Sequence, residues 1–212
     1  MKSLMEARLY AFIDTAYCEH NKVGEIARQL CDGGADIIQL RAKGCTRLEI
    51  RRMAEKILPI TTAAQVPLVI NDFLDVAREV GTAYCHLGQE DFFASGRQQV
   101  SELIGASEKL RMGLSSHAPD QAVRAVQAGA AYLGAGPVFA TPTKAEAKPV
   151  GLEYMGWMAA NITMPWFAIG GINLDNLPAV LGAGARRVCV VSAILKAPHI
   201  RKACQAFKQQ LI

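Results

Sequence analysis

One phrase recurs along this chain and limits what it can fold into. It is a helix-stopping glycine, a short polar turn, and then a run of about five apolar residues. It appears as GGADIIQLR from Gly33, VGTAYCHLGQ from Val80, AGAAYLGAG from Ala128 and AGARRVCVVS from Ala183. Gly34, Gly81, Gly129 and Gly184 hold equivalent places in it, at intervals of roughly fifty residues. That interval is too long for one strand–helix unit and suits two.

The alternate strands lie between these phrases. RLYAFID (8–14), VPLVIND (66–72), LRMGLS (110–115) and MPWFAIGG (164–171) are short apolar runs rich in β-branched and aromatic residues. Helical spacing of apolar residues marks 22–33, 47–60, 120–130 and 200–212, and more weakly 73–80, 98–105, 152–160 and 174–183. Eight strands thus alternate with eight helices. Continuous apolar strands covered by helices form parallel sheets. Eight such units in 212 residues predict an α/β fold, a closed (β/α)8 TIM barrel spanning 1–212 as a single domain. An open doubly wound sheet would carry G-x-G-x-x-G after its first strand, and this sequence does not.

Composition narrows the function. Half the residues are hydrophobic (51%) and a fifth charged (20%), enough for a sizeable core. No apolar run reaches the roughly 18 residues that span a bilayer, and MKSLMEARLYAFID has no signal-peptide core. Six cysteines, at 18, 31, 45, 85, 189 and 204, form no C-x-x-C pair. They read as reduced thiols of a cytoplasmic protein. A net charge of +4 without a basic run argues against nucleic acid and suits a small anionic ligand. The expected partners are therefore small molecules, with neither nucleic acid nor membrane among them.

A barrel of this kind builds its active site from strand ends at the C-terminal mouth. In QLRAK, Gln39, Arg41 and Lys43 alternate, so all three side chains face one way. VIND ends in Asn71 and Asp72, whose ordinary role at such a place is to cap the next helix. HLGQED gives an acidic exit of Gln89, Glu90 and Asp91 on the neighbouring strand, so Asp72 and Asp91 can share one Mg²⁺. His86 reads as a packed or supporting residue, and no His/Cys cluster has zinc spacing. GLSSH offers Ser115 as a substrate contact or a cap. A Ser115–His117 nucleophile lacks the G-x-S-x-G elbow. AIGG with Gly170 and Gly171, and VVSA with Ser192, match the phosphate cradle that this fold carries after strands 7 and 8. The mouth thus offers a site for a metal-bound polyanion opposite one for a simple phosphate. That pairing suggests a transferase that expels pyrophosphate.

Taken in order, QLRAK, VIND, HLGQED, GLSSH, GPVFATPTK…KPVGLE, AIGGI and VVSAI closely resemble the thiamine phosphate synthase family, over nearly the whole chain. The resemblance implies a TIM barrel that joins hydroxymethylpyrimidine pyrophosphate to a thiazole phosphate, giving thiamine phosphate and pyrophosphate. The implied route is dissociative: Mg²⁺-bound pyrophosphate leaves, and the thiazole nitrogen attacks the pyrimidine methylene cation. Catalysis is then positioning and electrostatics, with no protein nucleophile. Carried over by position, Asp72 and Asp91 ligate Mg²⁺, and Arg41, Lys43, Asn71 and Lys144 hold the pyrophosphate. Gln39 and Ser115 bond the pyrimidine or its leaving group. Thr141, Thr143, Gly171, Val191 and Ser192 bind the thiazole phosphate, Gly171 and Val191 through their backbones. Arg41, Lys43, Asn71, Ser115 and Lys144 are the expected catalytic set. Phe73, Cys85 and the weakly acidic AEAKPVG depart from the usual pattern without touching a matched ligand.

Two rivals share this scaffold. A thiazole tautomerase needs no pyrophosphate site, and a non-catalytic thiamine-phosphate binding protein needs no metal site. The joint presence of Arg41, Lys43, Asn71, Asp72, Asp91 and Lys144 argues against both. The longest loop, GPVFATPTKAEAKPVG (136–151), follows strand 6. An extended backbone there would aim Thr141 and Thr143 the same way, with Pro142 fixing φ between them. This loop is expected to act as a lid that orders over both anions.

Overall fold

The structure is a computed structural model and describes residues 3–105, 108–144 and 146–211. Every glycine of the recurring phrase has left-handed backbone: φ is +88° at Gly34, +74° at Gly81, +85° at Gly129 and +96° at Gly184. In each, the next amide reaches back five residues to a helix carbonyl: Ala35 to Leu30, Thr82 to Ala77, Ala130 to Ala125 and Ala185 to Val180. This is the Schellman closure, which satisfies carbonyls that a helix end leaves bare and turns the chain toward the next strand. A residue with a Cβ is strained at such a φ.

The strands are β1 (Leu9–Asp14), β2 (Ile37–Arg41), β3 (Leu68–Asn71), β4 (Tyr84–Leu87), β5 (Arg111–Ser116), β6 (Tyr132–Ala135), β7 (Trp166–Ile169) and β8 (Val188–Val190). Each pairs in parallel with the next, and β8 pairs with β1, so the sheet closes into a barrel. The principal helices are α1 (Val23–Asp32), α2 (Arg47–Ala63), α3 (Leu74–Val80), α4 (Gln89–Phe93), α5 (Pro119–Gln127), α6 (Gly151–Asn161) and α7 (Leu177–Gly182). The short α8 (Ser192–Leu195) and the C-terminal α9 (Ile200–Gln210) complete the set among the described residues.

Alternation along each strand makes two cores. On β1, Leu9, Ala11 and Ile13 face the helix layer, while Tyr10 and Phe12 face the barrel axis. Val23, Ile26, Ala27 and Leu30 form the buried stripe of α1, spaced at i, i+3, i+4 and i+7. Burying each of its larger side chains contributes about 1.5–3 kcal/mol. The axial core is mostly aromatic, with Tyr10, Phe12, Tyr84, Tyr132 and Phe167 in mutual edge or tilted contact. It plugs the barrel below its C-terminal mouth.

Two expectations need correction. The helix over 98–105 is only a 3-10 turn at Val100–Glu102. The segment that covers this part of the barrel is α4, which starts directly at the acidic exit of β4 and buries Phe92 and Phe93. The short α8 adds a helix after β8, so the alternation is not a simple eight and eight. All six cysteines are free thiols, with Cys85, Cys189 and Cys204 buried. Among the described residues, no helix is long and apolar enough to cross a membrane.

Candidate active site

A cavity of about 460 Å³ opens at the C-terminal mouth. On one side it is lined by Gln39, Arg41, Lys43, Asn71, Asp72 and Asp91, with Ser115 beside them. On the other side lie Thr141, Thr143, Gly171, Val191 and Ser192. The structure therefore brings together every site residue expected from the sequence except Lys144. Only the backbone of Lys144, the end of a 3-10 turn, is described; its side chain lies outside the described residues.

The charged wall is braced by carboxylates. Arg41 Nη1 donates to Asp14 Oδ2 at 2.7 Å, and Asp14 is fully buried at the end of β1. The other Asp14 oxygen accepts from the Ala16 amide, which holds the carboxylate in place for Arg41. Lys43 Nζ lies 2.5 Å from Asp72 Oδ2. Neither Asn71 nor Asp72 caps the next helix: α3 begins after Phe73 with no side-chain cap. Asp72 instead has a left-handed φ of +66°, its amide donating to the His86 carbonyl at 2.9 Å. This backbone carries both side chains to the cavity. Asp91 reaches the same rim from the first turn of α4. Among the described residues no three His, Cys, Asp or Glu gather as a metal cage. A pair of carboxylates facing an anion site instead matches the needs of Mg²⁺, which takes its other oxygens from water and phosphate.

The floor is a line of hydrogen bonds. Gln39 Nε2 donates to Tyr10 Oη at 2.6 Å, and the Tyr10 and Tyr132 hydroxyls are 2.9 Å apart. Tyr132 Oη lies 3.2 Å from His86 Nδ1, and His86 Nε2 lies 3.1 Å from Ser115 Oγ. Burial raises both phenols well above their ordinary range. Burial also pushes His86 down to about 4, with Asp72 opposing the shift weakly. The floor is therefore neutral near pH 7. His117 does not meet Ser115, since its Nδ1 lies against the Gly136 carbonyl.

The remaining wall is made by the loop after β6 laid on the end of β7. Val138 and Phe139 donate to the Ile169 and Gly170 carbonyls at 2.8 and 3.1 Å. A Cβ on Gly171 would stand 2.6 Å from the Ala140 carbonyl oxygen, so only glycine permits this approach. Thr141 and Thr143 line the cavity, but not on extended backbone. Residues 142–144 form a 3-10 turn, and Thr141 Oγ1 accepts from the Thr143 amide at 3.3 Å. The fixed φ of Pro142 suits a 3-10 turn as well as a strand, and the threonine hydroxyl settles the choice. Thr143 Oγ1 also lies 2.8 Å from Tyr17 Oη, tying this loop to the one after β1.

Sequence reasoning did not find Asp14, Tyr10, Tyr17 or Tyr132. Asp14 was visible as a polar strand end in AFID. The tyrosines were not, because an aromatic residue in a strand reads as core. Their hydroxyl partners lie far away in sequence.

Comparison with known proteins bears on this site. The family model for thiamine monophosphate synthase matches residues 9–194. A thiamine-phosphate synthase of Lawsonia intracellularis is 37% identical over 211 residues, covering 99% of this chain and 95% of that one. One from Thermus thermophilus is 41% identical over 181 residues, covering 84% of each. Among solved structures, the thiamine phosphate pyrophosphorylase of Pyrococcus furiosus superposes with a TM-score of 0.85 at 30% identity, covering 97% of this chain and 95% of that one.

Proposed function

The chain belongs to the thiamine monophosphate synthase family, and from that membership we propose that it joins hydroxymethylpyrimidine pyrophosphate to a thiazole phosphate. The products are thiamine phosphate and pyrophosphate. The observation that carries the reading is one cavity, where cations and carboxylates face a hydroxyl-and-glycine wall across a neutral floor. Two anionic substrates need two such walls. Their two rings need the floor between them.

In this reading Arg41, Lys43 and Asn71 hold the pyrophosphate, joined by Lys144. Asp72 and Asp91 would hold Mg²⁺, which would supply positive charge to stabilise a pyrophosphate leaving group. The pyrimidine C–O bond breaks first, and the pair of electrons leaves with pyrophosphate. The thiazole nitrogen then forms the new C–N bond. The protein orients the two rings and keeps water from the cation. Thr141, Thr143, the backbones of Gly171 and Val191, and Ser192 hold the thiazole phosphate at bonding distance. The loop over 136–151 closes on both substrates as a lid, and the reaction takes place in the cytoplasm.

The test is the two-substrate assay with Mg²⁺, repeated with EDTA. Thiamine phosphate and pyrophosphate should form in equal amounts, and EDTA should abolish both. If no pyrophosphate appears with both substrates and Mg²⁺ present, the synthase reading is wrong. Conversion of the thiazole phosphate alone would point to the tautomerase instead.

A further inference from the structure

The floor of the cavity has a direction. Gln39, Tyr10 and Tyr132 are 2%, 1% and 1% exposed, so bulk water cannot supply alternative partners along this line. Each phenol has one proton to give. Tyr10 oxygen accepts from the Gln39 amide, so the Tyr10 proton goes to Tyr132. Tyr132, accepting from Tyr10, gives its own single proton to His86 Nδ1, 3.2 Å from its oxygen. A neutral imidazole that accepts at Nδ1 carries its proton on Nε2. That proton faces Ser115 Oγ. The proton of Ser115 is left for the cavity.

We propose that Gln39, Tyr10, Tyr132 and His86 are positioning residues, a one-way hydrogen-bond relay that fixes His86 as its Nε2–H tautomer and presents the Ser115 hydroxyl to the substrate as a donor. Turning over the Gln39 amide would reverse every link and make Ser115 an acceptor. Acid–base matching selects the direction described. A phenol is a good donor and poor acceptor, and imidazole nitrogen is the strongest acceptor in the line. In the relay, phenol donates to imidazole, and imidazole N–H donates to an aliphatic hydroxyl. Reversal would ask the phenol to accept and the weakly acidic serine to donate. Links aligned in one sense also polarise one another.

Space is kept for this line. A Cβ on Gly113 would stand 2.2 Å from Tyr132 Cζ, so the ring can cross to His86 only because β5 carries glycine there. The relay also assigns a negative role. His86 donates to Ser115 and cannot take its proton, so the pair is not a nucleophilic dyad. The identity of the acceptor rests on the proposed function. A pyrimidine ring nitrogen and a phosphoryl oxygen both accept, so Ser115 as donor suits either one.

The test has two arms. With ¹⁵N-labelled histidine, the His86 signals, identified by their loss in His86→Asn, should show the proton on Nε2. In Tyr132→Phe this tautomer preference should disappear while the chain stays folded by circular dichroism. A His86 proton on Nδ1 in the unaltered chain would overturn the relay. In the second arm, Tyr132→Phe and Ser115→Ala should each lower kcat/KM for the pyrimidine pyrophosphate about tenfold, as expected for one hydrogen bond lost or misdirected. KM for the thiazole phosphate should hold. If Tyr132 acts through Ser115, the double variant will be no worse than Ser115→Ala. Losses that multiply would overturn the proposal. Should the unaltered chain make no thiamine phosphate, the proposed function fails, and the histidine signals still decide the relay.

Discussion

Lys43 and Asp72 face each other across the ends of β2 and β3, with Nζ 2.5 Å from Oδ2. One is the cation proposed for pyrophosphate, the other a carboxylate proposed for Mg²⁺. The ammonium and a divalent cation compete for the same oxygen. With those roles, Mg²⁺ at Asp72 would free Lys43 for the anion, and the metal and substrate sites would be linked by exchange of one partner. Lys43→Ala should therefore tighten Mg²⁺ binding to the protein alone, by a few-fold in titration calorimetry. The same variant should raise KM for the pyrimidine pyrophosphate. Weaker Mg²⁺ binding in Lys43→Ala would show that the two cations do not compete.

Asp91, on α4, is the second carboxylate proposed for Mg²⁺. Asp91→Asn keeps the shape and removes the charge. The Mg²⁺ concentration for half-maximal rate should rise at least about tenfold, since hard cations bind through carboxylate charge. An unchanged magnesium titration would remove Asp91 from the ligand pair.

Arg41 is held by a buried carboxylate. Asp14 is buried, and its two oxygens hold Arg41 and the Ala16 amide. Asp14→Ala leaves a guanidinium with no partner beside the cavity. It should cost about 3 kcal/mol in denaturant unfolding, as for a buried pair broken from one side. It should also lower kcat/KM for the pyrophosphate substrate. Full stability with normal kinetics would mean that Arg41 is held by other means.

Tyr154 fastens the end of β5 to α5. Its hydroxyl donates to the Ala118 carbonyl at 3.1 Å and meets the Ser116 hydroxyl. Burial pushes this phenol up to about 12. The unfolded chain loses the same proton near pH 10. The stabilisation is therefore complete below pH 10 and is lost as pH rises toward about 12. Between those values unfolding midpoints should fall more steeply with pH for the unaltered chain than for Tyr154→Phe. Parallel slopes would mean that Tyr154 ionises as freely folded as unfolded.

The barrel was legible because its signals are local. Four glycines closing four helices in the same way set the period, and strands between them are continuous apolar runs. The strand-end alternation of Gln39, Arg41 and Lys43 was legible for the same reason, since a period of two fixes the face. Helix 98–105 was misread because apolar spacing alone does not say what covers it. Phe92 and Phe93 of α4 had already filled that part of the core. The turn at 142–144 was misread because proline fits both candidates and one hydroxyl decides between them. The Tyr10–Tyr132 contact joins residues 122 positions apart, and no local pattern announces it.

Tyr17 and Thr143 tie down the loop over the mouth. Their hydroxyls are 2.8 Å apart, a side-chain link between the β1–α1 loop and the 3-10 turn over 142–144. The base of that turn is already held by backbone bonds from Val138 and Phe139 to β7 and from Val150 to Pro137. Its tip depends on side chains, and short exposed turns open at low free-energy cost. Removing one hydroxyl while keeping the ring should loosen the tip and spare the base. In Tyr17→Phe, amide exchange should speed up several-fold at Thr141, Thr143 and Lys144 and stay unchanged at Val138 and Phe139. KM for the thiazole phosphate should rise with kcat nearly constant, because Thr143 must then be ordered by the substrate itself. Exchange at 141–144 equal to that of the unaltered chain would mean that the turn holds itself, with Tyr17 a bystander.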